Sequence, residues 1–68
     1  MPYASNEDLP PSVRNHLPPH AQHIYREAFN HAYVYGHADE AMAHRIAWAA
    51  VKRRYEKADD DWVPRASQ

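Results

Sequence analysis

Sixty-eight residues and 7.9 kDa hold one small domain, residues 1–68, with a core too small to enclose a large active site. Apolar residues make up 44% of the chain and charged residues 25%, the usage of a folding chain, and eight Lys plus Arg against nine Asp plus Glu leave a net charge of −1. That charge excludes an overall basic field for nucleic acid or anionic lipid, and the lack of cysteine excludes disulfides, zinc thiolates, iron–sulfur clusters and thiol nucleophiles together.

The opening Met1-Pro2-Tyr3-Ala4-Ser5-Asn6-Glu7-Asp8 has neither the basic start nor the apolar run of a signal peptide, and no stretch reaches the roughly 18 apolar residues of a membrane span. The expectation is a cytoplasmic protein without membrane insertion. Leu9, Val13 and Leu17 recur at spacing four within a proline-bracketed segment, which predicts a short helix of about two turns. Pro18-Pro19 ends it and starts a second helix, since proline is well tolerated in a first turn. Ala21, Ile24, Tyr25, Ala28, Phe29, Ala32 and Tyr35 then form one apolar stripe at helical spacing, predicting a helix over about 19–35. Gly36, the only glycine, is the expected left-handed residue that closes it.

Asp39 and Glu40 supply an N-cap and a first-turn acid for an alanine-rich third helix over about 40–57. Its apolar positions Ala43, Ile46, Ala47, Ala50 and Val51, flanked by Trp48 and Tyr55, read as a wide buried face, and the short connection makes helices two and three antiparallel neighbours. Lys52, Arg53, Arg54 and Lys57 complement the negative end of the third helix, and Asp59-Asp60-Asp61 breaks it. Trp62-Val63 can then lie extended against Pro2-Tyr3. The fold class is therefore mainly α, a single domain of about three helices, two of them long and antiparallel, with a small sheet pairing the N- and C-terminal segments. Tyr33 alone among the aromatics falls off the main stripe and is the expected surface contact.

Three groups of residues carry candidate chemistry. His20, His23 and Glu27 fall on one helical face with His16 before and His31 after, a donor set suited to zinc, nickel or copper, although solvated histidines on a polar face explain the same letters. Lys52, Arg53, Arg54 and Lys57, with Arg45 further back on the same helix, form the only dense basic patch and suit phosphates or an acidic partner surface. His44, beside Trp48, reads either as a ligand or proton sensor or as a half-buried histidine that bonds the N-terminal segment or a loop carbonyl and packs on an aromatic ring. The triple aspartate lacks the alternation, glycine and distal glutamate of an EF-hand. No Ser-His-Asp grouping with a glycine elbow and no phosphate loop is present, so the expectation is a protein without catalysis or cofactor.

The blocks Met1-Pro2-Tyr3, Asp8-Leu9-Pro10, Leu17-Pro18, His20-Ala21-Gln22, Ile24-Tyr25, Ala28-Phe29-Asn30 and Ala47-Trp48-Ala49-Ala50-Val51-Lys52, in this order and with His44, Tyr55, Lys57 and Trp62, resemble the ChaB family over about residues 1–62. The resemblance implies a compact helical fold with a small sheet near the chain ends; the expected domain is ordered over about 1–62, with a tail over 63–68. It also implies no catalytic residue and a regulatory role in cation transport, through contact with a membrane calcium or sodium/proton antiporter. Relatives can carry a longer charged linker where this chain has only Gly36-His37-Ala38-Asp39, and of its histidines only His20 and His44 sit in matching blocks. Two alternatives follow from the residues themselves. One is a histidine-based divalent-metal or pH-responsive accessory protein, since six histidines can carry the net charge from −1 to roughly +3 or +4 by about pH 6. The other is a nucleic-acid accessory module using the basic end of helix three, which predicts steep salt dependence.

Overall fold

Pro18 is extended and Pro19 occupies the first position of the longest helix, where its missing N–H costs nothing. The computed structural model describes residues 2–65. Along them run a 3-10 turn (Asn6–Asp8), α1 (Pro11–Arg14), α2 (Pro19–Val34), α3 (Glu40–Arg54), β1 (Tyr55–Ala58) and β2 (Asp61–Pro64). This is the expected fold class: three helices, two long and packed antiparallel, with a two-stranded antiparallel sheet.

The core follows the spacing-four pattern. Leu9, Val13 and Leu17 close over α2, whose buried row is Ala21, Tyr25, Phe29 and Ala32, and α3 lays Ala43, Ala47 and Val51 against it. Alanine on α3 opposite large rings on α2 lets the axes approach while Phe29 and Tyr25 fill the space between them. Asp39 caps α3 as expected, its Oδ1 accepting from the Met42 N–H at 2.8 Å.

Four details differ from the sequence reading. The chain after α2 is left-handed at His37 (φ 57°), whereas Gly36 has no positive φ. Gly36 is required for closeness instead: its N–H donates to the Ala32 carbonyl at 3.0 Å, and a Cβ there would stand 2.9 Å from the same oxygen. Second, α3 stops at Arg54 rather than near 57, because Tyr55 turns extended (φ −128°, ψ 153°) and buries its ring in the core. The third is the sheet. Trp62 and Val63 do lie in it, but their partners are Lys57 and Glu56, not Pro2-Tyr3, and Asp59-Asp60 form the two-residue loop between the strands. Tyr3 needs no strand, since Asn30 on α2 accepts from its N–H and donates to its carbonyl, both at 2.8 Å, while its ring packs on Phe29 at 4.8 Å. A side-chain amide thus does for this backbone what a neighbouring strand would have done.

Fourth, Tyr33 is not the surface aromatic: it stacks on Phe29 at 5.8 Å, and Tyr35 is the exposed ring, at 74%. Structure also continues past residue 62. Arg65 donates its N–H to the Arg54 carbonyl at 2.9 Å and its Nε–H to the Lys52 carbonyl at 2.7 Å, satisfying two of the last acceptors of α3. Residues 66–68 of the expected tail, and Met1 of the first matching block, lie outside the described residues.

Candidate functional site: a groove between the two long helices

Helical periodicity decides which side chains flank the α2–α3 contact. On α2, His20, Ile24, Glu27, Ala28 and His31 recur at spacings of three and four, one row to the side of the buried stripe. On α3, Ile46, Ala50 and Arg53 do the same beside Ala43, Ala47 and Val51. The two rows face each other across an open groove of ≈ 670 Å³. Ile24, Ala28, Ala32, Ile46 and Ala50 make its apolar surface, and His20, His23, Glu27, His31, Arg53 and Arg54 make its polar rim.

Two of the groups singled out in the sequence therefore meet in one place. The structure brings Arg53 and Arg54 together with His20, His23 and Glu27 in this groove. It does not bring Arg45, Lys52 and Lys57 there. Arg45 and Lys52 lie two turns apart on the outer row of α3, and Lys57 sits in β1 opposite Trp62.

The rim has a charge asymmetry. Glu27 is paired with Arg26 at 3.6 Å, and Arg26 also donates to the Asn6 Oδ1 at 2.9 Å and to the His23 Nδ1 at 3.2 Å. Neither Arg53 nor Arg54 has an acidic partner among the described residues. His20 is held through its Nδ1, 3.0 Å from the Tyr55 hydroxyl. Among the described residues no group of three or more His, Asp or Glu is placed to hold a metal ion.

His44 lies on the opposite flank of α3. It packs on Phe29 at 4.7 Å, as an aromatic-packed histidine should, but its hydrogen-bond partner is the Tyr25 hydroxyl rather than the N-terminal segment or a loop carbonyl. Burial, with a smaller contribution from Tyr3, pushes the Tyr25 phenol up to about 12, and Tyr3 is raised by burial and then by the charge of Glu40. Trp48 packs edge-on against Tyr25 at 5.2 Å and tilted against Trp62 at 5.6 Å, so the hairpin fills this flank while the Ile46 flank stays open.

Ile46 and Ala50 on α3, like Ile24 and Ala28 on α2, belong to the apolar stripes of the sequence yet line the open groove. Ile46 is 41% exposed and Ala50 partly exposed. The signal was present: a helix with one helical neighbour buries one row, and Ala43, Ala47 and Val51 already supply it, leaving Ile46 as a surplus apolar residue.

The comparisons agree with this architecture. The ChaB family model matches residues 9–65. Curated relatives from Escherichia coli K12 and Shigella flexneri, each named "Putative cation transport regulator ChaB", are 50% identical over 90% of this chain and 92% of theirs. A solved structure described as "NMR solution structure of the putative cation transport regulator ChaB" superposes with a TM-score of 0.80 at 45% identity, covering 96% of this chain and 100% of that one. By sequence over nearly its whole length and by fold, the chain belongs to the ChaB family.

Proposed function

We propose that this protein is a non-catalytic regulator of a membrane cation antiporter, for calcium or for sodium against protons, and acts from the cytoplasmic side through protein–protein contact. The observation that carries the reading is the open apolar groove with two unpaired guanidinium groups, Arg53 and Arg54, at one end. Such a surface costs stability in water and is accounted for by a partner that covers it. The relatives' name for their own role, regulation of cation transport, supplies the class of partner. No helix among the described residues is long and apolar enough to cross a membrane, so the contact is made with the parts of the antiporter outside the bilayer. The metal reading has less support, since His20 and His23 are each engaged by a neighbouring side chain. So has the nucleic-acid reading, since Arg45, Lys52 and Lys57 do not line the groove with Arg53 and Arg54.

The test is recovery of partners with the tagged protein from its own cells, in detergent and with nuclease, repeated with Arg53→Glu and Arg54→Glu. The expected result is an antiporter recovered by the native chain and lost with the double variant. Recovery of only soluble or nucleic-acid-linked proteins would overturn the reading.

A further inference from the structure

Resting on the groove as the contact site, we infer that its occupant is an acidic amphipathic helix of about three turns, its apolar side chains seated between Ile24, Ala28, Ile46 and Ala50 and its carboxylates at the Arg53–Arg54 end. Three observations lead to this occupant.

The first is the form of the walls. Both sides of the groove are helices, whose backbone N–H and C=O groups are already paired internally, so the groove has no free ladder for an extended peptide to join. What it does present is side-chain rows at one-turn spacing, Ile24–Ala28 on one wall and Ile46–Ala50 on the other. Knobs at i, i+4 and i+7 of a third helix fit a valley between two helices. From His20 to His31 the rim advances eleven residue rises along α2, about 16 Å at 1.5 Å per residue, which is about three turns of a partner.

The second is the row of exposed apolar side chains. Among the described residues the large ones are Val34, Tyr35, Met42 and Ile46, at 48%, 74%, 45% and 41% exposure. Met42 lies one turn before Ile46 on the same row, and Tyr35 lies one turn after His31 on the other, its ring tilted against the imidazole at 5.3 Å. The apolar strip thus continues from the groove toward the α2–α3 connection, away from the arginines.

The third is charge. The one acid on the rim, Glu27, is neutralised by Arg26, while Arg53 and Arg54 stand without partners at the other wall. The uncompensated charge is positive and confined to one end, which selects carboxylates there and sets the direction of the bound helix. A second copy of this chain does not meet these terms: among the described residues the apolar row it offers is this same concave groove, and the one acid on that rim, Glu27, is already paired with Arg26.

The experiment is a selection from a displayed library of random 16-residue peptides on the intact protein, followed by amide spectra of the labelled protein with the enriched peptides. The inference expects enriched sequences with apolar residues at i, i+4 and i+7 and Asp or Glu clustered at one end, shifting the amides of Ile24, Ala28, Ile46, Ala50 and Arg53. Arg53→Glu with Arg54→Glu weakens these peptides at least tenfold and favours versions with lysine in place of the acids. Ile46→Asp, at a position exposed enough to keep the fold, also weakens them at least tenfold while the core amides stay in place. Enrichment of nothing, of basic or patternless sequences, or of peptides indifferent to both variants would overturn the inference. So would sedimentation showing a dimer that Ile46→Asp dissolves. The two readings separate cleanly: groove-binding acidic helices with no antiporter in the pull-down remove the antiporter and keep the groove's occupant. An antiporter whose recovery survives Ile46→Asp keeps the regulator and removes this occupant.

Discussion

His20 Nδ1 stands 3.0 Å from the Tyr55 hydroxyl, a hydrogen bond across 35 residues that ties the first turn of α2 to the first residue of β1. It holds the point where α3 ends and the hairpin begins, next to Arg54 and hence at the charged end of the groove. The Tyr55 ring is buried, so Tyr55→Phe keeps its apolar contacts and removes only this bond. The expected loss is about 1 kcal/mol, read as a lower urea midpoint with an unchanged slope. A double-mutant cycle with His20→Ala should return a coupling of about 0.5–1.5 kcal/mol, and zero coupling would show the bond contributes nothing.

Asn30 answers both backbone groups of Tyr3. Asn30→Ala leaves a half-buried N–H and C=O without partners and releases the N-terminal segment from Phe29, at a cost of about 1–3 kcal/mol. Hydrogen exchange at the Tyr3 amide should rise to the rate of an unstructured chain, while the amides of the α2 core stay protected. A Tyr3 amide that remains protected in this variant would show that ring packing alone holds the segment.

Tyr25 gives the protein an alkaline limit. The unfolded chain releases this proton near 10.0, but burial holds it in the folded state to about 12. Between those values the folded state binds more protons than the unfolded, so stability is fully present below pH 10 and falls as pH rises toward 12, by an amount on the order of 2 kcal/mol. Tyr3 acts in the same direction. Tyr25→Phe should flatten most of the slope in urea midpoints measured across this range. A variant with the native slope would place the titration elsewhere.

Gly36 and His37 predict substitutions of opposite sign. Gly36→Ala drives a Cβ to 2.9 Å from the Ala32 carbonyl oxygen and should cost about 1–2 kcal/mol. His37 carries a side chain at φ 57°, where glycine sits without strain, so His37→Gly should be neutral or stabilising by up to about 1 kcal/mol. Thermal midpoints of the two variants decide it, and the reverse order would return the left-handed position to Gly36.

Much of the fold was legible in one dimension because it rests on local chemistry. The spacing-four leucines and valine, the proline start of α2 and the Asp39 cap each act within a turn or two of chain, and each is found where the pattern placed it. The candidate site was half legible. Arg53, Arg54, His20, His23 and Glu27 stood out by residue type, but as two unrelated groups, because their meeting depends on how α2 and α3 are rotated against each other.

The sequence by itself determined where α2 and α3 begin, the apolar stripe along each and the family, since periodicity, capping and motif order are properties of the chain alone. Tertiary structure decided which side of each apolar stripe faces inward. Helix α3 has more apolar residues than one neighbouring helix can cover, and the hairpin claims the Trp48 flank through Trp62. The uncovered remainder falls at Ile46. It decided the end of α3 as well, because burying the Tyr55 ring and pairing Glu56–Ala58 with Asp61–Val63 outweighs three more residues of helix. Pairing and burial between distant residues have no local signature, and the groove exists only through them.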